Sequence, residues 1–233
     1  MRRLLPLLLL AAPLAAQPPG PPGPPPPDSA PAEPAAPEGP FACGDRDLSE
    51  GAATGCQLVA RPTVTRLPPK VYWHLALFPS REAAQVASRF TDVITEAGGQ
   101  VWLHRFGAEG DVPAGGSGRR GLVGPITPPR ASAFQLDLIY EVMPAGTRTA
   151  PHLHAGPEAW WVLEGTQCVE TARGVERTGE GEGAVGPAGT AARVVASTGV
   201  VTRRAFALVI HDPVRPRTTP SRWKPKGLCD APA

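Results

Sequence analysis

Between residues 133 and 212 apolar and polar positions alternate in short runs, parted by glycine and proline. Successive side chains of a strand point to opposite faces, so this period of two predicts strands over 134–142, 149–154, 158–163, 166–172, 191–196 and 205–211. In the last run Ala205, Ala207, Val209 and His211 share one face, and Phe206, Leu208 and Ile210 share the other. Many short strands with such turns predict an all-β sandwich or barrel over 131–213. Upstream, residues 71–78 (VYWHLALF) predict an aromatic strand, and Ser80 caps a short helix predicted over 81–89. Residues 92–95 and 100–106 flank Gly98 and Gly99, which predicts a hairpin. These elements make 41–130 a small N-terminal α/β extension, with 43–69 expected as irregular chain and 107–130 as a long loop carrying Arg119 and Arg120. Residues 214–233 are proline-rich and basic and form a C-terminal tail.

The N-terminus changes the picture of where this fold works. Arg2 and Arg3 precede an apolar run from Leu4 to Ala16 that ends in small residues, which predicts a signal peptide over 1–16. Such a run is too short to span a bilayer as a helix, so the mature form is expected to carry no membrane anchor. Half of the residues in 17–40 are proline, which predicts a disordered linker. An exported protein, periplasmic or secreted, favours disulfides over free thiols. With cysteines at Cys43, Cys56, Cys168 and Cys229, the preferred pairing is Cys43 with Cys56 and Cys168 with Cys229. No CxxC pair is present, which argues against zinc held by these thiols. The formal charge of +2 falls to 0 once the two arginines of the signal peptide are removed, so nothing selects nucleic acid or anionic lipid as partner. A Gly-rich phosphate loop, a GxSxG elbow and a basic strip interleaved with aromatics are all lacking from the sequence.

The residues that carry chemistry lie between Tyr140 and Glu170. His152 and His154, two apart in a strand, present both imidazoles to one face, and Gly156-Pro157 turns the chain so that Glu158 can bring a carboxylate to the same point. Two imidazoles and a carboxylate with open positions suit a divalent ion: iron, manganese, copper, nickel or zinc. Trp160, in parity with Glu158, and Tyr140, at the end of its strand, are candidates for lining a ligand cavity, although packing is the more ordinary role of large aromatics. His211 is the outside candidate for a fourth ligand, whereas the lone His74 and His104 read as surface or satisfied core residues. Arg203 and Arg204 read as an exposed turn.

Gly146, His152, His154, Glu158 and Gly165 stand at the spacings of the first signature motif of the cupins, and the sequence resembles that family. Gly181, Pro187 and Gly189 resemble the first half of the second motif, but Ala192 stands where the family has its last histidine ligand and Ala196 where it has an asparagine. The resemblance implies a mainly β, cupin-type double-stranded β-helix, or jelly-roll barrel, with barrels often paired as homodimers. It implies one of two functions. In the first, the chain is a metal-dependent enzyme, dioxygenase- or isomerase-like, acting on a small oxygen-bearing substrate through His152, His154 and Glu158. In the second, favoured by Ala192 where the family has a ligand, it is a metal-free module that binds or senses a small sugar or aromatic ligand.

Overall fold

The computed structural model describes residues 54–186 and 191–230. The signal peptide, the linker, Cys43 and the Pro187-Ala188-Gly189 half-motif lie outside the described residues. In chain order the first elements are strands β1 (Gly55–Ala60), β2 (Thr63–Val64) and β3 (Val71–Phe78), helix α1 (Arg81–Ala87), then β4 (Val93–Ala97), β5 (Gln100–Gly107) and β6 (Arg120–Ile126). There follow β7 (Phe134–Met143), β8 (His152–His154), β9 (Glu158–Glu164), β10 (Thr166–Thr171) and β11 (Gly174–Thr178). The last are β12 (Gly183–Val185), β13 (Arg193–Thr198), β14 (Arg203–His211) and β15 (Thr218–Pro220). Helix α1 starts where Ser80 Oγ accepts the Ala83 amide at 3.2 Å. Among the described residues no helix is long and apolar enough to cross a membrane.

Two antiparallel sheets form the barrel. One runs β1-β7-β14-β9-β12, with β2 also on β7, and the other runs β11-β10-β13-β8-β15. Their facing surfaces enclose Ile139, Met143, Trp160, Val169, Val195 and Val209. Residues 55–64, which the sequence left irregular, therefore belong to the barrel sheet rather than to an extension, because β1 and β2 satisfy the edge of β7.

A third layer explains why β7 and β14 carry apolar residues on both parities. The sheet β4-β5-β3-β6 packs on the outer face of the β7-β14-β9 sheet, placing Trp73, Trp102, Val123 and Ile126 against Tyr140, Trp161, Phe206 and Leu208. A sheet covered on both faces needs apolar residues on both parities. Strand β6 falls in the stretch expected to be a loop. Its Gly121 serves close approach rather than a turn: a Cβ there would lie 2.7 Å from the Trp161 ring. Strands β11, β12 and β15 were also missing from the expected set, and the strand expected over 191–196 begins at Arg193 instead.

Inside this outer interface Trp73 Nε1 donates to His104 Nδ1 at 3.2 Å, and His104 Nε2 meets Thr95 Oγ1 at 2.9 Å. Nδ1 accepts, so the ring is the neutral Nε2–H tautomer. Burial lowers the His104 pKa from 6.5 to about 3. The unfolded chain takes up a proton below pH 6.5 that the folded ring refuses, so stability falls as pH drops. The slope from this group is about 1.4 kcal/mol per pH unit. Urea unfolding at pH 7, 6 and 5 should show this loss in the wild type, and a His104→Gln chain should show a shallower pH dependence; parallel slopes would contradict a buried neutral imidazole.

Candidate metal centre

The three candidate ligands are brought together by one short strand and one tight connection. Strand β8 aims His152 and His154 at the same interior face, with ring centroids 4.9 Å apart. At Gly156 the chain passes so close to β14 that a Cβ would lie 1.9 Å from the Ile210 carbonyl oxygen. Only glycine permits that approach, and it lets β9 start with Glu158 facing inward. Gly146 and Gly165, at φ +77° and +76°, occupy the left-handed turns that frame the segment.

Hydrogen bonds fix which nitrogen of each ring is available. His152 Nδ1 donates to the Ala150 carbonyl at 2.8 Å, and His154 Nδ1 donates to the Arg217 carbonyl at 3.0 Å. A carbonyl only accepts, so both Nδ1 atoms carry protons and both Nε2 atoms are left with a lone pair. His154 Nε2 lies 3.1 Å from Glu158 Oε2, yet no hydrogen bond satisfies this buried nitrogen. One ligand atom from each of His152, His154 and Glu158 falls within 4.8 Å of the others. Lone pairs that converge without a proton between them are what a cation demands, so the residues fit a metal ion. Burial lowers the His152 pKa, which keeps that ring neutral and able to ligate. Burial raises the Glu158 carboxyl, but the groups around it, the Arg193 guanidinium among them, outweigh this and hold its pKa at about 2.

Arg193, which the sequence reading passed over, is fully buried, and its Nη1 donates to Glu158 Oε2 at 3.1 Å. It pairs with His152 across β13 and β8, so both side chains take the inward face. The inward position of this strand is thus one residue beyond Ala192, and a guanidinium occupies it. Arg193 stands over the ring of Trp160, 6.0 Å from its centroid. Deeper in the barrel Arg203 lies 2.8 Å from Glu141 and donates to Gln167. The sequence reading placed Arg203 on an exposed turn; the structure buries it completely. Burial raises the Glu141 carboxyl, with Arg203 pulling against it.

A cavity of about 240 Å³ opens on the trio, walled by Ile139, Glu141 and Val195 and by Arg217, Thr218 and Pro220 of the tail. Trp160 is buried beneath the site and does not line this cavity. Tyr140 faces the other way and packs on Phe206 in the outer interface, at 5.6 Å between ring centroids. His211 does turn inward, but its Nε2 lies 3.4 Å from Asp137 and it is not part of the converging group. Cys168 and Cys229 form a disulfide. Cys56 is also disulfide-bonded, while its expected partner Cys43 lies outside the described residues. A larger hollow of about 840 Å³, around Gly146, Thr166 and Gly199, adjoins no second converging group among the described residues.

Two curled antiparallel sheets, with the His-Leu-His strand, the inward glutamate and the two framing glycines in place, decide the architecture. The barrel has the cupin fold. No protein-family model matches this chain, and no curated protein matches it. Similar solved structures are cupin-fold proteins. The DMSP lyase DddQ from Ruegeria pomeroyi is 20% identical, with 37% of this chain and 43% of that chain covered and a TM-score of 0.33. A cupin 2 domain-containing protein from Halorhodospira halophila is 22% identical, with coverages of 36% and 57% and a TM-score of 0.32. A salicylate 1,2-dioxygenase variant from Pseudoaminobacter salicylatoxidans, in complex with gentisate, is 19% identical, with coverages of 38% and 24% and a TM-score of 0.33. The chain thus spans less than two thirds of each of these proteins.

Replacing Arg193 by Met leaves the Glu158 carboxylate buried without its guanidinium, and breaking such a pair costs about 3–5 kcal/mol. The urea midpoint of Arg193→Met in EDTA should fall accordingly, and Mn²⁺ should recover part of the loss by supplying the missing positive charge.

Proposed function

We propose that this chain is an exported cupin-fold protein whose barrel holds a divalent metal ion through His152, His154 and Glu158 and acts on a small oxygen-bearing molecule in the adjoining cavity. The carrying observation is the unsatisfied Nε2 of His154, which faces Glu158 Oε2 at 3.1 Å while its Nδ1 proton is committed to a carbonyl. Bound there, the ion supplies Lewis acidity, or electron transfer if it is redox-active. The chain's own residues do the rest. The Ala150 and Arg217 carbonyls hold the imidazoles in one tautomer. Arg193 steadies the carboxylate, and Ile139 and Val195 limit water in the cavity. Glu141, raised by burial and lining the same cavity, is the residue in this reading that can hold a proton beside the substrate. Export is supported by the apolar run before Ala16 and by the Cys168–Cys229 disulfide.

One observation favours a second reading. The Arg193–Glu158 ion pair already balances the carboxylate's charge. A barrel so neutralised could serve as a metal-free binding module for a small ligand. Elemental analysis separates the two. The mature protein, purified without a metal-binding tag, should carry about one equivalent of a divalent metal. The His152→Ala/His154→Ala chain should carry none. Metal-free wild type after incubation with each ion would reject the first reading and leave the second.

A further inference from the structure

The tail beyond the barrel is tied into the metal centre. Strand β15 pairs with β8, the strand that carries both histidines, matching Thr218 with His154 and Pro220 with His152. The Arg217 carbonyl accepts both the Ala155 amide at 3.2 Å and His154 Nδ1 at 3.0 Å, so the atom that fixes the His154 tautomer belongs to the tail. Arg217, Thr218 and Pro220 also wall the cavity. Yet β15 is three residues long and exposed throughout, and so short an edge strand is marginal unless something holds it.

Two fasteners hold it. In front, Arg217 Nη1 lies 3.4 Å from Asp137, a fully buried carboxylate that also takes Arg61 at 2.8 Å and His211 at 3.4 Å. Behind, the chain crosses the outer face of β13 to reach β10. There Lys226 and Leu228 donate their amides to Glu170, and Cys229 is bonded to Cys168, packed on Ala196. The disulfide joins positions 61 apart in sequence, so it fixes the tail to a strand whose other face lines the barrel.

We propose that the segment 217–229 is a strap that completes the metal centre, and that the Cys168–Cys229 disulfide is its lock, so that metal affinity is high only in the oxidised chain. This rests on the metal reading above. A dithiol that reduces the bond passes two electrons and two protons to the sulfurs, leaves two thiols and becomes a cyclic disulfide. The strap then has no covalent tie and is held by its pairing with β8, by Arg217 on Asp137 and by the Glu170 acceptor. His154 loses its fixed acceptor, and loss of such an outer partner weakens metal binding about 10–100-fold.

The test is Co²⁺ titration of the full chain against Cys168→Ala/Cys229→Ala, which unlocks the strap without creating thiolate ligands, with exchange of the His154 Nδ1 proton followed by NMR. The dissociation constant should rise about 10–100-fold and the ring proton should lose protection. Glu170→Ala, which keeps the disulfide but removes the acceptor of two strap amides, should shift both readouts the same way by a smaller factor. It carries the test if the double variant does not fold. Unchanged affinity in folded variants would overturn the strap. Absence of Co²⁺ binding in the wild type would instead overturn the metal reading, and this proposal with it.

Discussion

The barrel interior is organised around one buried carboxylate. An ionised group in such a place is tolerated only when paired and hydrogen-bonded. Glu158 meets that condition through Arg193, whose Nη1 donates to it. The consequences spread outward from there. Arg193 needs support of its own and stands over Trp160. Gly156 must be a glycine for Glu158 to face inward at all. The site is therefore a property of the strand packing as much as of three ligands.

The central sheet is the mechanical counterpart of this charge balance. It presents charged residues interspersed with apolar ones to the interior from one parity of β7 and β14, and apolar residues to the outer sheet from the other. Asp137, Glu141 and His211 sit on the inner parity, while Leu138, Tyr140 and Phe206 sit on the outer. Rigidity supplied by the outer packing keeps the inner polar groups in register, which buried networks require.

How much of this the sequence disclosed depended on whether a signal was local. His152, His154 and Glu158 were legible because a period of two and a glycine turn act within seven residues. Arg193 was not, since its inward facing depends on its pairing with His152, and a register slipped by one residue would have turned it out. Strand β6 was hidden because Gly121 and Pro125 look like loop residues until Trp161 is seen lying over the glycine. Trp160 was offered as a cavity-lining residue on its parity with Glu158 and Tyr140 on its place at a strand end; tertiary packing sent one beneath the site and the other to the outer interface. The tail gave no strand signal, because β15 owes its form to β8 rather than to its own composition.

The four-stranded sheet on the barrel's outer face has a consequence for self-association. A bare barrel would have to hide the row of Tyr140, Trp161, Phe206 and Leu208 against some other molecule. Here residues 71–126 of the same chain already cover it. That row is therefore not available as a surface for pairing two copies.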